Sequence, residues 1–153
     1  MAVDSSGNVY VADTDNHRIR KITPADRIED RVVSTFAGTD TRGHADGPGT
    51  EAQFNYPYGV AVDSSGNVYV ADADNNRIRK ITPADRIEDR VVSTFAGSTE
   101  GSADAIGTAA RFKLPYGVAV DSSGNVYVGD NGNHRIRKIE YKLPWPAGDG
   151  SSC

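Results

Sequence analysis

Three observations predict an all-β fold assembled from repeated four-stranded antiparallel sheets. The phrase VDSSGNVYVAD stands at 3–13 and at 62–72, and returns at 120–130 with Gly129 in place of alanine. The chain carries 16 glycines in 153 residues at 37% hydrophobic content, a balance that suits many tight reversals better than a helical bundle. Its apolar segments are short, β-branched and separated by Asx- and Gly-rich turns.

Ala2, Ala61 and Ala119 are equivalent, giving periods of 59 and 58 residues, and ITPADRIEDRVVSTFAG at 22–38 recurs unchanged at 81–97. Each unit reads as four strands. The first is YGVAVD (58–63), led by Pro57. The second is NVYVAD (67–72), with Val68 and Val70 on one face and Tyr69 and Ala71 on the other. Between them DSSG makes a tight hairpin, in which Asp63 bonds back to the backbone and Gly66 takes the left-handed position. A second hairpin is expected at DADN, before the third strand NRIRKI (76–81). The fourth strand, RVVSTFAG (90–97), follows the longer TPADRIED connection. Polar alternation fails in RIRKI. Either a bulge realigns it, or both sheet faces are covered and the Arg and Lys stems pack with their heads in water. The second is favoured, because strand two is also apolar on both faces.

A sheet apolar on both faces needs a similar sheet on each side. Repeated at a fixed period, that describes the blades of a β-propeller. Blade one spans 1–38 with a truncated first strand, and a linker follows at 39–57. Blade two spans 58–97, followed by a linker at 98–115. Blade three spans 116–148, and 149–153 form a disordered tail. The fourth strand of blade three would come from YKLPWPAG (141–148), where Pro144 and Pro146 allow only a degenerate edge strand or none. GTEAQF and GTAARF in the linkers each read as one helical turn. Thr50 and Thr108 are placed to cap it, with Gln53 at the capping-box position, and Phe54 and Phe112 are placed to pin it to the blade.

PYGVAVDSSGNVYVADADNNRIRKI and its two partners resemble NHL repeats, the blade unit of a propeller family. The likeness runs through P-x-G-V-A-V-D, G-N-V-Y-V-A-D and N-x-R-I-x-K-I, and reaches about residue 140. It implies a propeller with strand one at the central channel and a role in binding proteins or other macromolecules. Members of this wider group bind RNA, serve as sensor domains of membrane kinases, or act as metal-assisted lyases and hydrolases. For the lyase type, channel-lining His and carboxylates would have to come from strand one, which here offers only Val, Ala and Val.

The blade count is short of a ring of roughly four to eight. Met1 aligns with Val60 and Val118, inside the first strand. Two expectations stay open: a fragment of a larger propeller, or a half-propeller whose two copies close a six-bladed ring head to tail.

The remaining features favour a non-catalytic scaffold. Net charge is −4, which disfavours general nucleic-acid binding. Cys153, the one cysteine, cannot form an internal disulfide. No stretch reaches the length of a membrane span, and MAVDSSG lacks the basic start and apolar run of a secretory leader. The three histidines, His17, His44 and His134, have no metal-ligand spacing, and DTDNH and DADNN lack the rest of a calcium loop. Neither a G-x-S-x-G elbow nor a Walker loop is present. Neither a metal nor a cofactor is therefore expected. Asp13, Asp72 and Asp130 read as hairpin-holding partners of Arg18, Arg77 and Arg135, or as Asx turns. The recurring RIRK reads as exposed cations on a solvated edge rather than an RNA stripe. Sequence variation concentrates on the disk face shared by the strand two–three turns and the linkers. A protein partner is expected there, near Asp15, His17, Asp74, Asn76, Asn131 and His134.

Overall fold

The structure, a computed structural model, describes residues 1–141. Its first sheet comprises β1 (Ala2–Val3), β2 (Val9–Asp13), β3 (Arg18–Thr23) and β4 (Val32–Ala37), in that spatial order. The linker then lays down a short strand, β5 (Gly47–Pro48), before β6 (Pro57–Val62), β7 (Val68–Asp72), β8 (Arg77–Thr82) and β9 (Val91–Gly97). These five form one sheet, ordered β5-β9-β8-β7-β6. The third sheet is β10 (Pro115–Val120), β11 (Val126–Asp130) and β12 (Arg135–Ile139). All of these pairings are antiparallel. The fold is therefore an all-β arc of three propeller blades. The expected fourth strand at 141–148 and the tail lie, beyond Tyr141, outside the described residues.

The DSSGN turn forms the same way in every blade. In blade two, Asp63 Oδ1 accepts the N–H groups of Ser65 and Asn67, each at 2.9 Å, and Oδ2 accepts Asn67 Nδ2 at 2.8 Å and the Tyr69 hydroxyl at 3.2 Å. Gly66 sits at φ +81°, a region closed to most side chains. One carboxylate thus ties the turn to strand two, which is why Asp, Gly, Asn and Tyr recur together.

The connection from strand two to strand three closes the hairpin expected from its Asx residues, between adjacent antiparallel strands. It is a single 3-10 turn, Ala73–Asn75 in blade two, closed by Asn76 in the left-handed region at φ 54°. His17 and His134 take the same conformation at φ 55° and 54°.

The linker turns differ from expectation. Gly107–Ala109 is a 3-10 turn preceded by Ile106, with no side-chain cap, so Thr108 lies inside it. In the first linker, residues 49–51 form a plain turn closed by the Pro48 carbonyl, which accepts the N–H groups of Glu51 and Ala52 at 2.9 Å. The backbone supplies the acceptor that a threonine cap would have supplied. Phe54 and Phe112 do anchor the linkers and are buried.

A bulge is present, but in the fourth strand. Ile78 pairs with Ala96 and Arg79 with Thr94, leaving Phe95 as the extra residue; Phe36 is the extra residue of blade one. Strand three stays regular against strand two, so its central arginine points into the blade interface. Arg79 is 0% exposed, which corrects its reading as a solvated cation.

Packing is serial. Tyr10, Ile19, Phe36 and Ala37 of blade one meet Val60, Val68, Val70, Ile81 and Val92 of blade two, with Ala52 and Phe54 of the linker between them. Tyr69, Ile78 and Ala96 then meet Val126 and Val128, with Ala110 and Phe112 in the linker's place. Each fully buried large apolar side chain contributes about 1.5–3 kcal/mol relative to exposure. The first strands run closest together: a Cβ added at Gly59 would stand 2.4 Å from the Tyr116 carbonyl oxygen. Only glycine permits that approach.

Candidate binding face

The strand two–three turns and the linkers gather on one face of the arc, called upper here. Asn75 Nδ2 on the blade-two turn donates to the linker carbonyl of Gly43 at 2.7 Å, and Asn133 Nδ2 donates likewise to Gly101. Strand one begins on this face, so Tyr58 and Tyr116 stand at its inner rim.

The six residues expected here divide into two groups. Asp15, Asp74, Asn131 and His134 are exposed. His17 and Asn76 are half-buried and hold the blades together. His17 Nδ1 accepts the Tyr56 N–H at 3.3 Å, and Asn76 Oδ1 accepts the Leu114 N–H at 3.0 Å. Tyr56 and Leu114 are themselves left-handed, at φ 49° and 47°. These side chains latch each turn to the linker entering the next blade. His134 occupies the same slot in blade three. A shallow cavity of about 400 Å³ holds it together with Asn131, Tyr116, Gly117 and Ile136.

The hairpin pairs resolve differently from expectation. Asp72 and Arg77 are Cα partners in the ladder, as are Asp13 with Arg18 and Asp130 with Arg135. The Asp72 carboxylate instead pairs with Arg79, and Asp130 with Arg137 at 2.9 Å. Arg77 turns to the Ser98 and His44 carbonyls, and Arg135 is exposed. Blade one keeps both pairs, Arg18 at 3.6 Å and Arg20 at 3.2 Å from Asp13. Arg77 and Arg79 both lie on the Asp72 face of the sheet, but Arg79 there also reaches the linker: the Gln53 and Ala45 carbonyls at 2.8 and 2.9 Å, and Asp46 at 2.6 Å. With Asp72 and Arg79 paired in the interior, neither is offered to a ligand.

Sequence reading missed an exposed aromatic pair. Tyr58 and Tyr116 stack with ring centroids 4.4 Å apart and an interplanar angle of 33°, yet they are 45% and 40% exposed. Desolvation against its neighbours, then the charges of Tyr116, Asp74 and Asp15, push the Tyr58 phenol above its ordinary value. The signal was present in PYGVAVD, where a bulky tyrosine sits beside the glycine that brings two strands together. Among the described residues, no three His, Cys, Asp or Glu side chains gather as metal ligands, and no helix is long and apolar enough to cross a membrane.

Sheets packed face to face in series, with their first strands innermost, define a repeat-built β-propeller arc. The NHL repeat model matches residues 1–22, 54–81 and 112–139, and the chain belongs to the NHL repeat family. NHL repeat-containing protein 2 of Bos taurus is 32% identical over 142 residues, covering 86% of this chain and 18% of that protein. A structural genomics protein of unknown function from Bacteroides thetaiotaomicron VPI-5482 superposes with a TM-score of 0.74 at 31% identity, over 86% of this chain and 32% of its own. An auxiliary nutrient binding protein from the same organism superposes with a TM-score of 0.72 at 25% identity, over 89% and 35%. The chain thus spans less than a fifth of the curated relative and about a third of each solved structure.

Proposed function

We propose that the chain is a non-catalytic interaction scaffold whose upper face takes a basic, extended protein segment. The observation that carries this reading is the exposed Tyr58–Tyr116 stack with the Asp15 and Asp74 carboxylates acting on it. Two ring faces under negative potential suit a guanidinium or ammonium group, by cation–π attraction and charge together. Exposed, rigid aromatics are also the side chains that dominate protein interfaces. The binding role of one structural neighbour supports a scaffold on this architecture.

A fluorescent oligoarginine peptide is the probe. The double variant Tyr58→Ala, Tyr116→Ala is expected to weaken its binding about tenfold or more, a loss of about 1.4 kcal/mol. Asp15→Asn with Asp74→Asn should weaken it further at low salt than at high salt. Equal binding by wild type and the tyrosine double variant would overturn the proposal.

A further inference from the structure

We propose that copies of this chain associate head to tail, blade three of one copy seating on blade one of the next. This stands apart from the upper-face reading, because it uses the flat faces of the end blades.

The chain carries its own template for this contact. Blade one presents a Tyr10, Ile19 face to the Val68, Val70, Ile81, Val92 face of blade two. Blade two presents the same kind of face, Tyr69 and Ile78, to Val126 and Val128 of blade three. One face type therefore seats the other twice within the molecule.

Each end of the arc leaves one of the two types uncovered. At blade three it is the Tyr, Ile face. Ile136 is 78% exposed, whereas its counterparts Ile19 and Ile78 are 0% exposed. Tyr127 is exposed where Tyr10 and Tyr69 are buried. At blade one it is the Val, Ile face. Val9, Val11 and Ile22 are half-buried and Val33 is exposed, whereas their counterparts Val68, Val70, Ile81 and Val92 are buried. The side chains are identical to those of blade two, so the uncovered blade-one face offers what already packs inside the chain.

Strand one leaves room for the contact: a Cβ at Gly117 would meet nothing within 4 Å, whereas one at its counterpart Gly59 would stand against the Tyr116 carbonyl. The occupant with the matching face is a second copy's blade one. Because the contact joins different faces, it is heterologous: it closes into a ring if the rotation allows, and otherwise continues as an open array.

Sedimentation of the full chain tests this. Wild type is expected to form a species of at least twice 16.3 kDa. Gly117→Leu with Ile136→Lys blocks one end, and Val11→Lys with Val33→Lys blocks the other. Each variant alone should sediment as a monomer with an unchanged β spectrum. Mixed in equal amounts, they should form a dimer, since each retains the face the other has lost. Val33→Lys alone, at an exposed position, serves if Val11→Lys unfolds. A monomeric wild type, or a mixture that stays monomeric while wild type associates, would overturn the proposal.

Discussion

The Arg79 guanidinium lies 2.8 Å from the Asp72 carboxylate, and both side chains are completely buried. Burial pushes the Asp72 carboxyl up, opposed by Arg79, the Asn55 N–H and the Asn75 amide. The arginine also stacks over Phe54, 5.2 Å from its ring centroid. One side chain therefore joins strand two, strand three and the incoming linker. Removing it alone leaves a buried carboxylate without its charge partner. Arg79→Ala is expected to cost about 3–5 kcal/mol in urea unfolding. Arg20→Ala in blade one removes a partly exposed pair at 3.2 Å with no linker bonded to it, and should cost about 1 kcal/mol or less. Equal costs would show that burial is not what sets them.

Gly59 and Gly117 are equivalent in sequence and opposite in surroundings. Gly59→Ala forces a Cβ against the Tyr116 carbonyl and should lower the melting temperature clearly, whereas Gly117→Ala should change it little in the monomer. The pair separates close strand approach from the general effect of removing glycine, which by itself reduces unfolded-state entropy. Similar shifts for both would contradict the inner-strand packing described here.

Phe112 is buried between blades two and three, under Arg137 at 5.1 Å. Phe112→Ala should cost about 3–5 kcal/mol, since the linker backbone bonds on either side limit collapse of the cavity. Thr108→Ala should be near neutral in the same melts, because that hydroxyl caps no helix.

Two sets of groups define the pH limits. The Tyr10 and Tyr69 phenols are pushed up to about 12, first by burial and then by Asp4 and Asp63. A raised phenol favours the neutral form in the fold. Its contribution is fully present below pH about 10 and is lost as pH climbs through about 12. An absorbance titration should show Tyr10 and Tyr69 among the late phenols, and Tyr10→Phe should remove one of those titrating near about 12. At the acid end, the Asn125 side-chain hydrogen bond is the largest cause holding the Asp121 carboxyl below its ordinary value. Its contribution is present above the ordinary carboxylate range and is lost as pH falls through the lowered value. Melts of wild type and Asp121→Ala should therefore differ at neutral pH and converge in acid; a constant gap would contradict the assignment.

Local chemistry was legible where a residue acts on its own neighbours in sequence. The Asp63 turn, the period of the repeat, the strand order within a blade and the anchoring phenylalanines all follow from short-range pattern. The candidate face was legible only in part. Asp15 and Asp74, chosen for sequence variation, are exposed, while His17 and Asn76, chosen for the same reason, serve as latches to linkers 39 and 38 residues away. Tyr58 was passed over because its partner is the same residue of the next blade.

The sequence by itself determined the blade, its turns and its repetition, because hydrogen-bonding side chains, glycine and β-branched residues act over a few residues. The tertiary structure decided which arginine pairs with which aspartate, which polar residues face inward and where two tyrosines meet. Those outcomes depend on which face of one blade is pressed against the next, and side chains far apart in the chain become neighbours only when that face is buried.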